Sequence, residues 1–404
     1  MFWGQKRKIV TDEVKITELL SRGVEDVFVK ENLLKKLRFG KSLRVKLGID
    51  PTGPAIHLGR AIILRKLRDF QRLGHHIILI IGDFTALIGD PSDKLEKRPM
   101  LTSAVITKNL ATYKKQIAKI IDIDKTEFRF NSAWLSKLHF AEVAELAESF
   151  SVPQMSSRRN FKDRLERGGE VSLREFLYPL MQGYDSVAVK ADVELGGFDQ
   201  LFNLKAGRII QKHYGQKEQD ILTLQMLEGT DGRKMSTSWG NVITIIDTPN
   251  DMFGKIMSLK DELIPKYFLL CTDVSTEELT QIKKRLISGE NPRDIKMELG
   301  VAVASLYHGT SKAVEARRHF TETFTKGAVP EDAEEITVQS GTLLVDALLS
   351  VNIISSKSDF RRLVEDGAVH VLPEGGNITD PQFIVSQPLL LKVGKRRFVK
   401  IKIS

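Results

Sequence analysis

His57 and Gly59 follow a breaker run, Asp50-Pro51-Thr52-Gly53-Pro54, and far downstream comes Gly232-Arg233-Lys234-Met235-Ser236-Thr237-Ser238. An imidazole can donate to a phosphoryl oxygen, and a glycine without Cβ lets a flat base lie against the backbone. A lysine and several hydroxyls on one loop suit the charge that develops on a transferring triphosphate. Each feature alone has a plainer explanation: a surface histidine in a strand-to-helix loop, or a solvated turn. A strand-linked GxGxxG and a GxxxxGK[ST] are both missing from the chain, which argues against a dinucleotide fingerprint and a P-loop.

The elements needed to position these residues are legible. Leu43 to Ile49 reads as a short buried strand, and Ala61 to Leu73 carries apolar residues at helical spacing up to Gly74. His57 and Gly59 therefore stand at a helix N-terminus, where free N–H groups and the dipole favour phosphate. Ile77 to Ile81 is continuously apolar, as a central parallel strand should be, and runs into Gly82-Asp83-Phe84-Thr85-Ala86. Helices are expected over Thr102–Ile121 and Phe140–Phe150, with a strand at Phe128–Phe130 between them. Leu173 to Tyr184 reads as a helix kinked at Pro179, with Tyr178 and Gln182 on one face and Asp185 just beyond. Ala188 to Leu195 reads as a strand ending in Gly196-Gly197-Phe198-Asp199-Gln200, and Ile221–Leu227 and Val242–Ile246 as further strands. Residues 1–40 read as an amphipathic helical stretch. The expected fold is α/β: a Rossmann-like parallel-sheet domain over 1–247, an all-α domain over 248–326, a linker at 327–337, and a small α+β domain over 338–404.

The 404 residues include 42% hydrophobic and 28% charged residues, values of a water-soluble globular protein, and the net charge of +9 suits a polyanionic partner. A single cysteine, Cys271, excludes an internal disulfide framework and a cysteine-rich metal site. No apolar run approaches a membrane span, and Asp12 and Glu13 stand where a leader would need an apolar core, so a cytoplasmic protein is expected.

His57-Leu58-Gly59-Arg60 and Lys234-Met235-Ser236-Thr237-Ser238, in this order with strand–helix units between, resemble the HIGH and KMSKS signatures of class I aminoacyl-tRNA synthetases. GIDPTGPAIHLGR, IGDPSDK, FLYPLMQGYD, ELGGFDQLFN, DGRKMSTS and SKSDFRRLVEDGAVHV extend the resemblance, from about Leu43 to Ser404, to the bacterial tyrosyl-tRNA synthetases. The resemblance implies formation of tyrosyl-adenylate from tyrosine and ATP, then transfer of the tyrosyl group to the terminal ribose of its tRNA. It implies Mg²⁺ accompanying ATP with no tightly bound protein-ligated metal, and a homodimer that binds tRNA across both subunits. Thr52 and His57 would hold the triphosphate, Gly59 with Arg60 and Met235 would border the adenine nucleotide, and Lys94, Arg98, Lys234 and Ser236 would approach pyrophosphate. Asp50, Thr85, Asp90, Tyr178 and Gln182 would line the tyrosine site, and Asp185 would accept the phenol O–H. Gly197 and Asp199 would face the ribose, with Gln200 near the reacting carboxylate. The sequence departs from the pattern at Arg60 (the second His of HIGH), Thr237 (the second Lys of KMSKS), Lys46 (commonly Tyr) and Glu194 (commonly Gln).

Basic residues concentrate in Ser156–Gly169 and in the tail, so Arg158, Arg159, Lys357, Arg361, Arg362 and Lys395 to Arg397, Arg396 among them, are expected on tRNA phosphate. Three other readings compete. Against a tryptophan-specific relative stand the fused tail and Asp185. An RNA-binding protein on a dead scaffold would not need His57, Asp90, Gln200 and Lys234 together. A small cofactor-adenylating enzyme would not need two RNA-binding-like domains after the catalytic one.

Overall fold

A computed structural model describes residues 8–91, 101–325, 333–372, 376–394 and 397–404. Lys94, Arg98 and Arg396 lie outside the described residues. The chain forms two compact units, one of residues 1–248 and 255–309, the other of residues 249–254 and 310–404.

The first unit is built on a six-stranded sheet: β1 (Val24–Phe28), β2 (Arg44–Ile49), β3 (His76–Ile81), β4 (Thr126–Phe130), β5 (Val193–Gly197) and β6 (Asp220–Leu224), in the order β1-β6-β5-β2-β3-β4. All neighbours are parallel except β1, which runs antiparallel along β6. The α/β, Rossmann-like expectation is met. Ile77 to Ile81 are buried without exception, as helices on both faces require. From β2 the chain proceeds to β3 and β4 on one side, then crosses to β5 on the other. The boundary between β2 and β5 is thus a topological switch point, where open α/β sheets hold ligands beyond the strands' carboxyl ends.

Several expected boundaries move. The first forty residues are not wholly helical: β1 separates the helices Glu13–Ser21 and Lys30–Arg38. Its short, half-exposed run Val-Glu-Asp-Val-Phe becomes a strand only because the β6 edge needs a partner. The helix that begins at Leu173 continues to Val189 with Pro179 inside it, so Asp185 sits on the helix rather than after it. Ser172 caps it and the Glu175 carboxylate returns to the Ser172 N–H. Val242–Ile246 is not a strand. It makes one bridge, Thr244 to His57, flanked by Leu58 N–H to the Ile243 carbonyl and Ile245 N–H to the Ile56 carbonyl. Those bonds fix the turn that carries His57. Helices also fill 255–309, and Tyr267 donates to the Glu228 carbonyl at 2.6 Å, bracing the start of the Lys234 loop.

In the second unit, β7 (Glu334–Val338), β9 (Val369–Leu372), β11 (Leu389–Val393) and β12 (Arg397–Ile403) form a sheet ordered β7-β12-β11-β9, beside a ribbon of β8 (Thr342–Leu343) and β10 (Ile384–Val385). Leu344, Leu348, Phe360, Val364, Leu391 and Val399 fill its core. The strand β7 begins inside the stretch read as a linker: its acidic residues are exposed, and Glu335 pairs with Lys402 on β12. Ser356 caps the helix Lys357–Glu365, with the Asp359 N–H donating to its Oγ.

Candidate active site

A cavity of 520 Å³ opens beyond the carboxyl ends of β2 and β5. The loop after β2 contributes Asp50 and Thr52, and the start of the helix Leu58–Arg72 contributes His57, Gly59 and Arg60. From β3 and its continuation come Gly82, Thr85 and Asp90. The long helix brings Tyr178, Gln182 and Asp185, the end of β5 brings Gly197, Asp199 and Gln200, and the downstream loop brings Lys234, Met235 and Ser236. Sequence-distant residues expected on nucleotide and amino acid thus line one space.

Asp50 is the hub of one end. It accepts from Thr85 Oγ1 at 2.7 Å and Tyr178 Oη at 2.8 Å. Burial pushes its carboxyl up to about 6, against the two donors, and the neighbouring Asp90 pushes the same way. Tyr178, buried beside Asp50, has its phenol raised well above its ordinary value and stays a donor. A Cβ on Gly82 would lie 1.9 Å from Asp50 Oδ1 and 2.3 Å from Thr85 Oγ1, so this contact exists only because residue 82 has no side chain. Gln200 donates to Asp90 at 2.6 Å and accepts from Asn203 at 2.9 Å, which fixes both ends of its amide.

Asp185 lies at a buried end with 3% exposure. Trp134 Nε1 donates to it at 2.8 Å and Asn131 Nδ2 at 3.3 Å, and Asn131 also donates to Thr85 at 3.0 Å. Burial nevertheless raises the Asp185 carboxyl to about 7, while Lys46 and the two donors pull the other way. Asn131 and Trp134 were not foreseen. Asn131 follows the carboxyl end of β4, and that position was the available signal.

The opposite flank suits phosphate. His57 is the N-terminal residue before its helix and makes no capping bond with its side chain. Its Nδ1 is buried and has no hydrogen-bond partner among the described residues. Burial, then the cations of Arg60 and Lys234, lower the imidazole to about 3, so His57 is a neutral donor throughout the physiological range. Arg60 reaches Thr52 Oγ1 at 2.7 Å, Tyr113 Oη at 3.1 Å and the Asp50 carbonyl at 3.4 Å, clamping the loop in front of its own helix. A Cβ on Gly59 would sit 3.1 Å from the His57 ring and 3.8 Å from Met235 Sδ. Lys234 Nζ pairs with Asp199 at 2.9 Å, and the Ser236 N–H donates to Asn241 at 2.8 Å.

One expectation for RNA contact is withdrawn. Arg158 is buried, its guanidinium 5.0 Å from the Phe161 ring centre and 4.9 Å from that of Phe202. Arg158 stands at the N-cap of the helix Arg159–Glu166, whose Phe161 turns inward, and Arg164 is likewise buried against Glu175 at 2.6 Å. Arg159, Lys357, Arg361, Arg362 and Arg397 are exposed. Of these, Lys357 pairs with Asp346 at 2.8 Å, Arg362 with Asp359 at 2.9 Å, and Arg397 donates to the Ile353 carbonyl.

The chain resembles known proteins over nearly its whole length. Residues 38–325 match the family model described as tRNA synthetases class I (W and Y). It is 45% identical to a tyrosine–tRNA ligase of Thermotoga maritima over 394 residues, 96% of this chain and 97% of that protein. It is 47% identical to one of Carboxydothermus hydrogenoformans, covering 96% and 98% respectively. Among solved structures, the tyrosyl-tRNA synthetase of Archaeoglobus fulgidus complexed with L-tyrosine shares the fold at a TM-score of 0.61 and 22% identity, over 76% of this chain and all (100%) of that one. A C-terminally truncated mitochondrial tyrosyl-tRNA synthetase of Aspergillus nidulans gives a TM-score of 0.64 at 23% identity, covering 77% and 94%.

Proposed function

The chain belongs to the class I tRNA synthetases that handle tryptophan and tyrosine, and from that premise we propose how its cavity works. It charges tRNA with tyrosine. In the first step the tyrosine carboxylate attacks the α-phosphorus of ATP and pyrophosphate leaves; in the second a hydroxyl of the terminal tRNA ribose attacks the tyrosyl carbonyl and AMP leaves. Neither activation partner needs a protein nucleophile, so the enzyme's task is alignment and neutralisation of charge. ATP arrives with Mg²⁺ as its counter-ion, part of the substrate.

The residues divide by position. Asp185 accepts the phenol O–H at the buried end. Asp50, Thr85, Asp90, Tyr178 and Gln182 receive the amino-acid head, and Gln200, held between Asp90 and Asn203, faces the carboxylate. Adenine lies over Gly59 beside Met235, with Gly197 and Asp199 at the ribose. Thr52, His57, Arg60, Lys234 and Ser236 surround the triphosphate, joined by Lys94 and Arg98. The observation that supports tyrosine is Asp185: a buried carboxylate held by the Trp134 indole N–H and the Asn131 amide keeps acceptor capacity for one more donor, and a phenol O–H supplies it. Lys234 rests on Asp199 until ribose hydroxyls compete for that carboxylate and release the ammonium toward phosphate.

Transfer of labelled tyrosine to a bacterial tRNA transcript for that amino acid tests this reading, with tryptophan and its tRNA as the control. Charging with tryptophan alone would assign the chain to the family's other branch.

On the protein, tRNA phosphates are met by Arg159, by Lys357, Arg361 and Arg362 of the Lys357–Glu365 helix, and by Arg396 and Arg397. A double reversal, Arg361→Glu with Arg362→Glu, should raise the KM for tRNA roughly tenfold and shallow its salt dependence by about two contacts, leaving tyrosine activation unchanged. An unaltered tRNA KM would contradict it. The cytoplasm is the compartment proposed for this role, where tRNA, ATP and tyrosine occur together; among the described residues no helix is long and apolar enough to cross a membrane.

A homodimer is supported by exposed apolar side chains in the first unit: Phe130 (47%), Phe140 (90%), Val152 (71%) and Leu173 (79%). Sedimentation should give twice the chain mass, and Phe140→Glu should shift it toward the monomer. A wild-type monomer at micromolar concentration would remove this proposal.

A further inference from the structure

Two charges sit where central strands of a parallel sheet carry apolar side chains. Lys46 on β2 and Glu194 on β5 are register partners, and both are fully buried at 0% exposure. Lys46 Nζ donates to Glu194 Oε1 at 2.9 Å, to Ser186 Oγ at 2.8 Å and to the main-chain carbonyl of Gln182 at 2.9 Å, which uses all its protons. Glu194 Oε1 also accepts from Gln182 Nε2 at 3.1 Å, and Oε2 accepts from Ser186 Oγ at 3.1 Å and Gln219 Nε2 at 2.5 Å. The network is fitted closely: a Cβ on Gly207 would lie 2.4 Å from Gln219 Nε2 and 3.2 Å from Glu194 Oε2. A buried ion pair is weak evidence for stability, since desolvation offsets its attraction and apolar replacements often serve as well. Its use has to be sought in what it touches.

It touches Gln182 twice, at the main chain and at the side-chain amide, and Gln182 lines the cavity. A primary amide has one donor end and one acceptor end. An ionised carboxylate only accepts, so the end facing Glu194 must be Nε2. The end left for the cavity is Oε1. We propose that the Lys46–Glu194 pair is a positioning device that locks the Gln182 amide with its carbonyl oxygen toward the substrate, so that the cavity receives an ammonium group there. The inference rests on the tyrosine reading above and adds to it the source of polarity at this wall. Lys46 holds the carboxylate in place; Glu194 dictates which end of the amide turns outward.

The test compares two inhibitors of tyrosine-dependent pyrophosphate exchange, tyramine and 4-ethylphenol, which differ only in the ammonium group. In Lys46→Met/Glu194→Gln the charges leave together and volume is nearly kept. The new amide at 194 has only one acceptor oxygen for several donors, and the Gln182 amide is free to turn. The Ki of tyramine should rise tenfold or more while that of 4-ethylphenol stays within twofold and the ATP KM is unchanged. Gln182→Met, which leaves the ion pair intact, should show the same selective loss and serves if the double variant fails to fold. Equal weakening of both inhibitors in folded protein, or no weakening of tyramine, would overturn the proposal. Absence of tyrosine exchange in the wild type would instead remove the reading on which it stands.

Discussion

Asp185→Ala should collapse the enzyme's discrimination between tyrosine and phenylalanine. Sites that hydrogen-bond a substrate hydroxyl reject the analogue lacking it by ~10⁴–10⁵, a range for which enzymes charging tyrosine are themselves the reference case. Losing a hydrogen bond to a charged acceptor removes about 1.5–3 kcal/mol, so kcat/KM for tyrosine should fall roughly 10- to 150-fold. For phenylalanine it should hold or rise, because the acceptor that a phenyl ring leaves unpaired is gone. Pyrophosphate exchange with both amino acids measures the ratio directly.

Asp185 also gives that prediction a pH signature. Its carboxyl titrates at about 7 in the folded chain against an ordinary value of 3.8, because burial disfavours the anion. A raised carboxyl contributes stability that is fully present below about pH 4 and lost as pH rises through 7. At pH 8 the buried anion then costs the unliganded enzyme on the order of 4 kcal/mol relative to its acid form, at 1.36 kcal/mol per unit. Asp50, raised to about 6, adds a loss of the same sign over a lower window. Asp185→Asn should therefore gain in Tm relative to wild type between pH 5 and pH 8. Tyrosine KM should rise below pH 7 in the wild type, where the acceptor is protonated, and this acid limb should vanish in the variant. A wild-type Tm gap that is flat across this range would contradict the assignment of the titrating group.

The second large effect is at phosphate. His57→Ala should lower kcat for exchange by ~10²–10³, the usual effect of removing one donor to developing transition-state charge, with little change in tyrosine KM. His57 is neutral down to about pH 3, so the deficit should be the same from pH 5 to 8. Lys234→Ala should cost a similar factor and weaken ATP as well. An acid limb in the wild-type profile that disappears with His57 would mean the ring works as a cation, contrary to its burial beside Arg60 and Lys234.

Much of this was legible in the chain before its fold. The apolar run Ile77–Ile81 and the breaker loop after Ile49 specify parallel strands with a loop at their carboxyl ends, because burial on both faces leaves no room for alternation. The HLGR and KMSTS stretches stand out because two unusual loops in a set order are much rarer than either. What stayed hidden depends on partners. The strand Val24–Phe28 has no pattern of its own and exists because β6 presents an open edge. Arg158 looked like a phosphate ligand by charge alone, and only the placement of Phe161 and Phe202 reveals a stacked, buried guanidinium. Lys46 and Glu194 stood out as departures from a family pattern 148 residues apart in sequence, and the β2–β5 register turns two oddities into one pair. Asn131 is marked only by its place after β4, and that it and Trp134 meet Asp185 follows from the fold alone.

The most direct test of the central claim is ATP–pyrophosphate exchange, without tRNA, against each of the common amino acids. The account predicts exchange with tyrosine alone, its kcat cut by His57→Ala and its selectivity cut by Asp185→Ala. Exchange with no amino acid, in protein that binds tRNA tightly, would contradict it and leave an RNA-binding protein on a synthetase scaffold.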